Sequence, residues 1–456
     1  MYIREIELRN VRGFHAARDV VLDLTRPDGS LAGWTVLAGR NGSGKTSLLR
    51  AVALAVGGPG VARNLVSDFA DWVSVGEAFG AASVRLTYDT SVDRFSGSGQ
   101  PSEEAFWAGL GWRVDEQEGR GSRGRQPSLA AIADVGRLSV DTPRDGPWSD
   151  NPIGWFCAAY GPFRRLIGGS GDVQRLMIGR GPAARMASLF HEDASLAEGV
   201  GWLIDQHLRS LERKPGAEHL KRVALAVLGD GLLPDGYNIQ DVDSDGLWVE
   251  RDGYRFPLRE MSDGYRTVAA LVVDLLKQVY DAYGSLDASL IDGMMAVAAP
   301  GVVIIDEVDA HLHVSWQKRI GGWLKRHFPQ TQFIVTTHSP YICQAADEHG
   351  LIRLPGPDED EPPRIVNKEL YERIVYGSGD DAVMSELFGL DTPYSEQAVL
   401  LRRELGDLET AVVVGAADAR AIRRYEELRD LLTSSPPARV DELAARLVTD
   451  AEQHRP

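Results

Sequence analysis

The sequence predicts an α/β protein built on a mainly parallel β-sheet and followed by a helical C-terminal extension. Three observations carry the prediction. A complete G-x-x-x-x-G-K-[ST] loop, Gly39-Arg40-Asn41-Gly42-Ser43-Gly44-Lys45-Thr46, separates a strand-like run from a helix-like one. An apolar run closing on two carboxylates, Val302-Val303-Ile304-Ile305-Asp306-Glu307, has the composition of a buried central strand. Strand-like and helix-like segments alternate over most of the chain, the pattern of a parallel sheet with crossover helices.

Taken in order, residues 2–9 alternate Ile6 and Leu8 with Glu5, Glu7 and Arg9 and read as a strand, as does Val20–Leu24. Trp34–Ala38 is a third strand, and it runs into the glycine-rich loop. Thr46–Val56 is a helix that Gly57-Gly58-Pro59 should end. Ser83–Tyr88 and Trp112–Asp115 read as strands, Ser96–Pro101 and Gly119–Pro127 as loops. The basic run Gly119–Arg125 is either a solvated loop or a nucleic-acid contact. Trp155–Tyr160 is a short apolar run broken at Gly161-Pro162. Met186–Leu211 and Leu220–Leu228 have helical spacing, and Asp241–Gly246 is a hairpin turn before short strands around Trp248 and Tyr254. Asp263–Tyr283 is a long helix, Val302–Ile305 a buried strand, Val314–Phe328 a helix and Gln332–Thr336 a strand. Pro355–Pro363 reads as an acidic linker, and Lys368–Gln453 as mostly helical. Neither an internal repeat nor a run of three heptads is present.

Composition narrows the function. The 456 residues, 43% hydrophobic and 25% charged, suffice for a large core without staples. The two cysteines, Cys157 and Cys343, form neither a disulfide framework nor a zinc pattern, and they fit a reducing cytosol. No apolar run is long enough to span a bilayer and no signal peptide opens the chain, so the expected location is cytoplasmic, away from membranes. The net charge of −17 argues against a general nucleic-acid coat, though not against a local basic groove. Pro357–Pro456 holds 22 acidic and 12 basic residues, more than half of that net charge.

The chemistry concentrates in four motifs. In Gly39–Thr46 the glycines let the backbone wrap around phosphates, and the following helix N-terminus adds positive potential. Lys45 would neutralise the β- and γ-phosphates of ATP, and Thr46 would ligate Mg2+. Asp306, at its strand end, would hold the magnesium, while Glu307 would orient and polarise the attacking water. His338, 32 residues after Asp306, would reach the γ-phosphate or that water from the end of the next strand. Met261-Ser262-Asp263-Gly264 opens the long helix, where Ser262 is placed to cap and, with Gly264, to touch the γ-phosphate of a nucleotide on a second subunit.

Together these residues resemble the ATPase heads of the ABC superfamily, in the SMC-like and OLD-like branch. The resemblance rests on Ile6-Glu7-Leu8-Arg9-Asn10-Val11-Arg12-Gly13-Phe14, on Leu37–Leu49, on Met261–Arg266 as the signature, on Asp306–His313 as Walker B with D-loop, and on Thr337-His338-Ser339-Pro340 as the switch-histidine loop. It covers about residues 1–356. It implies an ABC-type P-loop ATPase head, with a mainly parallel sheet, helices, an antiparallel β lobe and a helical lobe. Two heads would join head-to-tail around two ATP, with Asn41, Gly42, Ser43, Gly44, Lys45, Thr46 and Ser47 of one chain facing Ser262 and Gly264 of the other. The resemblance also puts Asp309 at the shared interface and Arg12 near the nucleotide. The chain departs from the pattern twice. Where a Q-loop glutamine is expected stands Gly161-Pro162-Phe163-Arg164-Arg165, and the span of 217 positions from Lys45 to Ser262, without heptads, implies at most a compact helical lobe in place of a long coiled-coil arm. The run Ala159–Arg165 is similar to ATPases of bacterial antiphage systems of the Septu (PtuA-like) type.

The expected domains are residues 1–165 and 246–356 as the two parts of the head, 166–245 as a helical lobe, and 357–456 as the acidic linker and helical extension. Ala411–Asp418 lacks the glutamate and downstream D-x-D of a TOPRIM nuclease, so no intrinsic nuclease is expected. The function this implies is an ATP-hydrolysing ATPase in antiphage defence. It would dimerise or assemble further through its heads and control a separate effector, expected to be a nuclease, docked on the C-terminal extension. Two alternatives stand beside it. One is a DNA-repair or DNA-sensing ATPase using Arg164, Arg165 and the 119–125 loop as a groove. The other is a nucleotide-gated scaffold with little turnover.

Overall fold

A computed structural model of the chain describes residues 1–96, 105–114, 127–132, 141–164 and 171–432. In chain order the strands are β1 (Tyr2–Arg9), β2 (Val20–Asp23), β3 (Trp34–Ala38), β4 (Phe79–Thr87), β5 (Ala105–Arg113), β6 (Ser128–Ala131), β7 (Phe156–Tyr160), β8 (Asn238–Asp243), β9 (Gly246–Arg251), β10 (Tyr254–Pro257), β11 (Ala288–Ile291), β12 (Met294–Val297), β13 (Gly301–Ile305), β14 (Thr331–Thr337), β15 (Leu351–Arg353) and β16 (Arg364–Ile365). The helices are α1 (Lys45–Leu65), α2 (Asp141–Asp145), α3 (Gly171–Ile178), α4 (Pro182–Phe190), α5 (Ala197–Leu211), α6 (Ala217–Gly229), α7 (Asp263–Tyr283), α8 (Val314–Gln317), α9 (Ile320–His327), α10 (Pro340–Cys343), α11 (Lys368–Tyr376), α12 (Gly379–Val383), α13 (Glu396–Val413) and α14 (Ala419–Leu431).

The fold is the expected α/β P-loop head. The central sheet runs β16-β15-β3-β14-β13-β7, parallel from β15 to β7, with β16 antiparallel at the edge. Every residue of β3, β7, β13 and β14 is buried, which is why these strands read as unbroken apolar runs rather than as alternation. In register, Ile305 lies opposite Val335 and Tyr160, and Ala38 opposite Thr337 and Arg353. The P-loop, the carboxylates and the switch-histidine loop therefore all leave the sheet at its carboxyl edge, where ligands of such sheets bind. A second, antiparallel sheet of order β2-β1-β4-β5-β6 forms the β lobe, with Trp72 stacked on Trp112 at 5.0 Å and Phe69 beside both. The Gln332 amide ties the two sheets together by accepting from the Ile3 N–H (2.8 Å) and donating to its carbonyl (2.9 Å). Cys157 and Cys343 are free and buried in the core.

Several elements differ from the sequence expectation, each for a physical reason. Helix α1 does not stop at Gly57-Gly58-Pro59 but kinks there and continues to Leu65. Gly58 has φ 79° and ψ 179°, a conformation open only to glycine. Pro59 has no N–H to give the Ala55 carbonyl, and the Trp148 indole N–H donates instead to Ala55 and Val56, at 3.1 Å each. The expected helix Met186–Leu211 is two, α4 and α5, separated by a turn in which the Ala194 N–H bonds the His191 carbonyl. The intervening Asp193 and Ser195 favour turns over helix interiors. Val314–Phe328 is likewise α8 and α9; the break brings Gly321 so close to Trp34 that a Cβ there would lie 2.9 Å from the ring. The hairpin at Asp241–Gly246 is present, joining β8 to β9, so the sheet β10-β9-β8 straddles the 245/246 boundary expected for the helical lobe.

The expected linker Pro355–Pro363 is not a solvated spacer. Arg18 donates to the carbonyls of Pro355, Gly356 and Glu359; Arg353 pairs with Glu359 and Glu361; and Arg40 pairs with Asp358 at 3.2 Å. Arg353, just before the segment, and the distant Arg40 thus pair with three of its four carboxylates, the distant Arg18 holds its backbone, and β16 behind it joins the central sheet. The chain divides into compact units at Gly389/Leu390 rather than at 356/357. Described residues of the second unit form a helical hairpin, α13 and α14, with Ser395 and Asp418 capping the two helices and Arg424 gripping Glu404 (2.7 and 3.0 Å). The helix expected to Gln453 lies outside the described residues beyond Leu432, as do the basic run Gly119–Arg125 and Arg165. No helix among the described residues is long and apolar enough to cross a membrane.

Candidate active site

The site begins with the turn between β3 and α1. Gly42 (φ 79°) and Gly44 (φ 93°) adopt left-handed backbone, and a Cβ on Gly44 would come within 2.6 Å of the Phe14 ring. A Cβ on Gly39 would come within 2.4 Å of the Leu354 carbonyl. The loop is therefore glycine-rich for packing as well as for backbone reach. It delivers Lys45, 6% exposed, to the start of a 21-residue helix whose first turn holds no acidic residue. The Lys45 ammonium donates to the carbonyls of Gly39 (2.8 Å) and Arg40 (3.1 Å), so it lies across the loop. Burial lowers its pKa to about 8, with Asp306, Glu307 and Asp309 pulling the other way. The Ser43 hydroxyl is buried without a partner among the described residues. Ser47 accepts a long bond from Arg12 (3.5 Å), whose guanidinium sits over the Trp72 ring at 4.8 Å. Burial, then the nearby Arg50, lower the Arg12 pKa. Asn41 lies exposed on the loop.

Asp306 directly follows β13 and is almost fully buried. One carboxylate oxygen accepts from the Thr46 hydroxyl (2.7 Å), the other from the Thr336 hydroxyl (2.5 Å). Thr336 Oγ1 also accepts the Glu307 N–H (2.7 Å). One buried hydroxyl on β14 thus sets the positions of both neighbouring acids. Glu307 has φ 46°, strained for a residue with a side chain. Burial, then the adjacent Asp306 and Asp309, raise its pKa against the opposing Lys45 and Arg164. Next along β14, the Thr337 hydroxyl donates to Asp309 (2.5 Å) and accepts the Ser339 N–H (2.8 Å), which couples the D-loop to the switch-histidine loop. His338, between them, is exposed, and burial of part of its ring followed by Lys45 lowers its pKa.

The structure therefore gathers Lys45, Thr46, Asp306, Glu307, Asp309 and His338 at one sheet edge. Ser262 and Gly264 stand apart from that cluster. No hydrogen bond or ion pair links them to residues 39–47 among the described residues. Ser262 occupies the N-cap position of α7, but its side chain makes no capping bond, contrary to the sequence expectation, and it is exposed. Gly264 lies against the D-loop of its own chain: a Cβ there would be 2.3 Å from the His311 carbonyl. Its lack of a side chain has a reason within one protomer. Sequence reasoning named Thr337 only as part of the switch-histidine loop and did not single out Thr336 or the contacts of Arg164. The hydroxyls stand directly before His338, where a strand end is the available signal.

The residues present suit a magnesium ion carried by a triphosphate. Two hard oxygen donors, Thr46 and Asp306, converge, and among the described residues no group of three or more His, Cys, Asp or Glu could hold a metal. Magnesium accepts this arrangement because it keeps water and phosphate as its remaining ligands.

Residues 210–344 match the family "AAA domain, putative AbiEii toxin, Type IV TA system", and residues 5–105 match an "AAA domain" family. The chain is 25% identical to Septu protein PtuA of Bacillus mycoides over 74% of its own length and 38% of that protein's. It is 28% identical to the Retron Ec83 probable ATPase of Escherichia coli over 39% of its length and 30% of that protein's. The chain thus spans well under half of the curated relatives it matches. A crystal structure of an SmcHead bound to the C-winged helix domain of ScpA aligns with a TM-score of 0.46 at 17% identity, covering 80% of this chain and 97% of the other. The chain is thus similar to AAA-domain families in two segments and to PtuA over most of its length.

Proposed function

We propose that this chain is a magnesium-dependent ATPase whose heads pair head-to-tail around two ATP and govern a separate effector in antiphage defence. The observation that carries the reading is the 2.7 Å approach of Thr46 to Asp306, with Lys45 and Glu307 at the same sheet edge. The defence assignment is supported by relatives named for Septu and retron systems.

The residues divide the work. The loop N–H groups and the α1 terminus bind the phosphates, and Lys45 leaves its loop carbonyls to meet them. A magnesium ion held by Thr46 and Asp306 would supply charge neutralisation at the phosphate oxygens. Glu307 orients water and takes its proton; burial beside two carboxylates makes it a stronger base than a free glutamate. His338 holds the terminal phosphate from the end of the neighbouring strand, β14. Ser262 and Gly264 are exposed or half-buried and make no polar contact with their own chain's P-loop, which supports their service to a second copy. The α13–α14 hairpin is the surface proposed for the effector, expected to be a nuclease.

The test is turnover and retention of ATP by the purified chain. Lys45→Ala should lose nucleotide retention. Glu307→Gln should retain ATP while turnover falls about 10²- to 10⁴-fold. Equal turnover in the wild type and Glu307→Gln would leave only a scaffold. Co-expression with the neighbouring open reading frame and affinity capture on the full chain tests the effector; a neighbour that never co-purifies removes that part.

A further inference from the structure

The segment that lacks a Q-loop glutamine puts an arginine beneath the Walker B carboxylates. Arg164 is 2% exposed. It follows the end of β7, where the Tyr160 carbonyl already accepts the Asp306 N–H at 2.8 Å. Its Nη2 donates to the carbonyl of Glu307 (3.0 Å) and reaches those of Ala310 (3.4 Å) and Val308 (3.5 Å). Its Nε and Nη1 are buried with no partner among the described residues. We infer that Arg164 is a positioning residue for ATP hydrolysis: it clasps the main chain of residues 307–310 and so holds Glu307 in its left-handed, strained conformation.

Three observations converge on this assignment. Glu307 is pinned on both sides, its N–H by the Thr336 hydroxyl and its carbonyl by Arg164, and a φ of 46° persists only where surroundings impose it. The guanidinium meets this turn edge-on through Nη2 alone, a placement that the longer, planar arginine head fixes and that a lysine ammonium on its shorter stem does not reproduce. The third is electrostatic. Asp306, Glu307 and Asp309 converge, and the cations facing Glu307 are Lys45 and Arg164. Once Lys45 turns to phosphate, Arg164 is the cation left among the acids. It is also not a saturated structural clamp, because two of its buried nitrogens remain unspent.

The inference rests on the ATPase reading, and the experiment separates the two. In the full chain, kcat and KM for MgATP and the melting temperature are measured for wild type, Arg164→Ala and Arg164→Lys. Arg164→Ala should lose about tenfold or more in kcat, because a misplaced base costs far more than a lost contact, with KM within about twofold. Arg164→Lys, which keeps the charge and one donor, should recover part of kcat at unchanged KM and near-native melting temperature. If Arg164→Ala does not fold, Arg164→Lys decides: it should fall about threefold or more below wild type in kcat alone. Wild-type kcat in a folded Arg164→Ala or, failing that, in Arg164→Lys overturns the inference, as does a KM that rises as much as kcat falls. A wild type that neither retains nor hydrolyses ATP overturns the ATPase reading instead.

Discussion

Asp274 shows how a single buried acid can set a pH dependence away from the chemistry. It lies on α7, 2% exposed, and accepts a 3.0 Å bond from the Tyr160 hydroxyl. Burial raises its pKa to about 6, with Lys277, Tyr160 and Gln278 opposing and Asp281 adding to the rise. Folding therefore favours its protonated form. The stability this brings is complete below the unfolded carboxylate pKa of about 4 and is lost as pH rises through about 6. Asp274→Asn keeps an acceptor for Tyr160 and removes the charge. It should raise the unfolding free energy at pH 8, gain little at pH 4, and flatten the pH dependence; urea titrations at both pH values check this. An equal shift at both would show that packing, not charge, is responsible. At this scale the residues with fixed spacing, Lys45, Thr46, Asp306 and Glu307, were legible because local backbone geometry demands them. Thr336 and Arg164 were not, because their partners lie 30 and 143 residues away and no local pattern marks them.

Among the elements, β3, β13, β14 and α7 were legible because composition and period state them directly, and α7 has the expected bounds, Asp263–Tyr283, whereas the three-residue buried strand β15 was too short to show a pattern. Breaks were harder. A glycine pair followed by proline predicts a stop, yet α1 continues because Trp148, more than 80 residues later, supplies the donor that Pro59 lacks. Trp148→Phe keeps the ring and deletes that donor. It should cost about 1–3 kcal/mol, the penalty for carbonyls left buried and unpaired, read as a lower urea midpoint at unchanged slope. A midpoint within error of wild type would contradict the role given to the indole N–H. In the P-loop, Gly44→Ala meets both a φ of 93° and the Phe14 ring. The backbone strain alone costs about 1–3 kcal/mol, and nucleotide retention should fall with it; wild-type retention would show that the loop relaxes.

At the scale of the chain, the described residues form an α/β head and, in the second unit, a helical hairpin, and the class was legible from one loop, one apolar run and their order. The boundary was not. The Pro/Asp/Glu segment reads as a linker because its acidity looks solvated, whereas Arg353 just before it and Arg40 from the P-loop pair with its carboxylates, Arg18 binds its carbonyls, and β16 ties it into the sheet. Composition describes a segment's own charge but not the partners the fold brings to it. The geometry of one head also leaves half the proposed machinery unused, since Ser262 is exposed and uncapped at a helix end that has no polar contact with its own P-loop. Mixing two inactive variants, Lys45→Ala and Ser262→Arg, tests the composite pocket most directly. Each alone should hydrolyse no ATP. Together they should regain turnover, because the mixed pair contains one intact pocket, with the loop from the Ser262→Arg chain and the helix end from the Lys45→Ala chain. Mixtures that stay as inactive as their components, although both variants are folded and associate, would contradict a site shared between two copies.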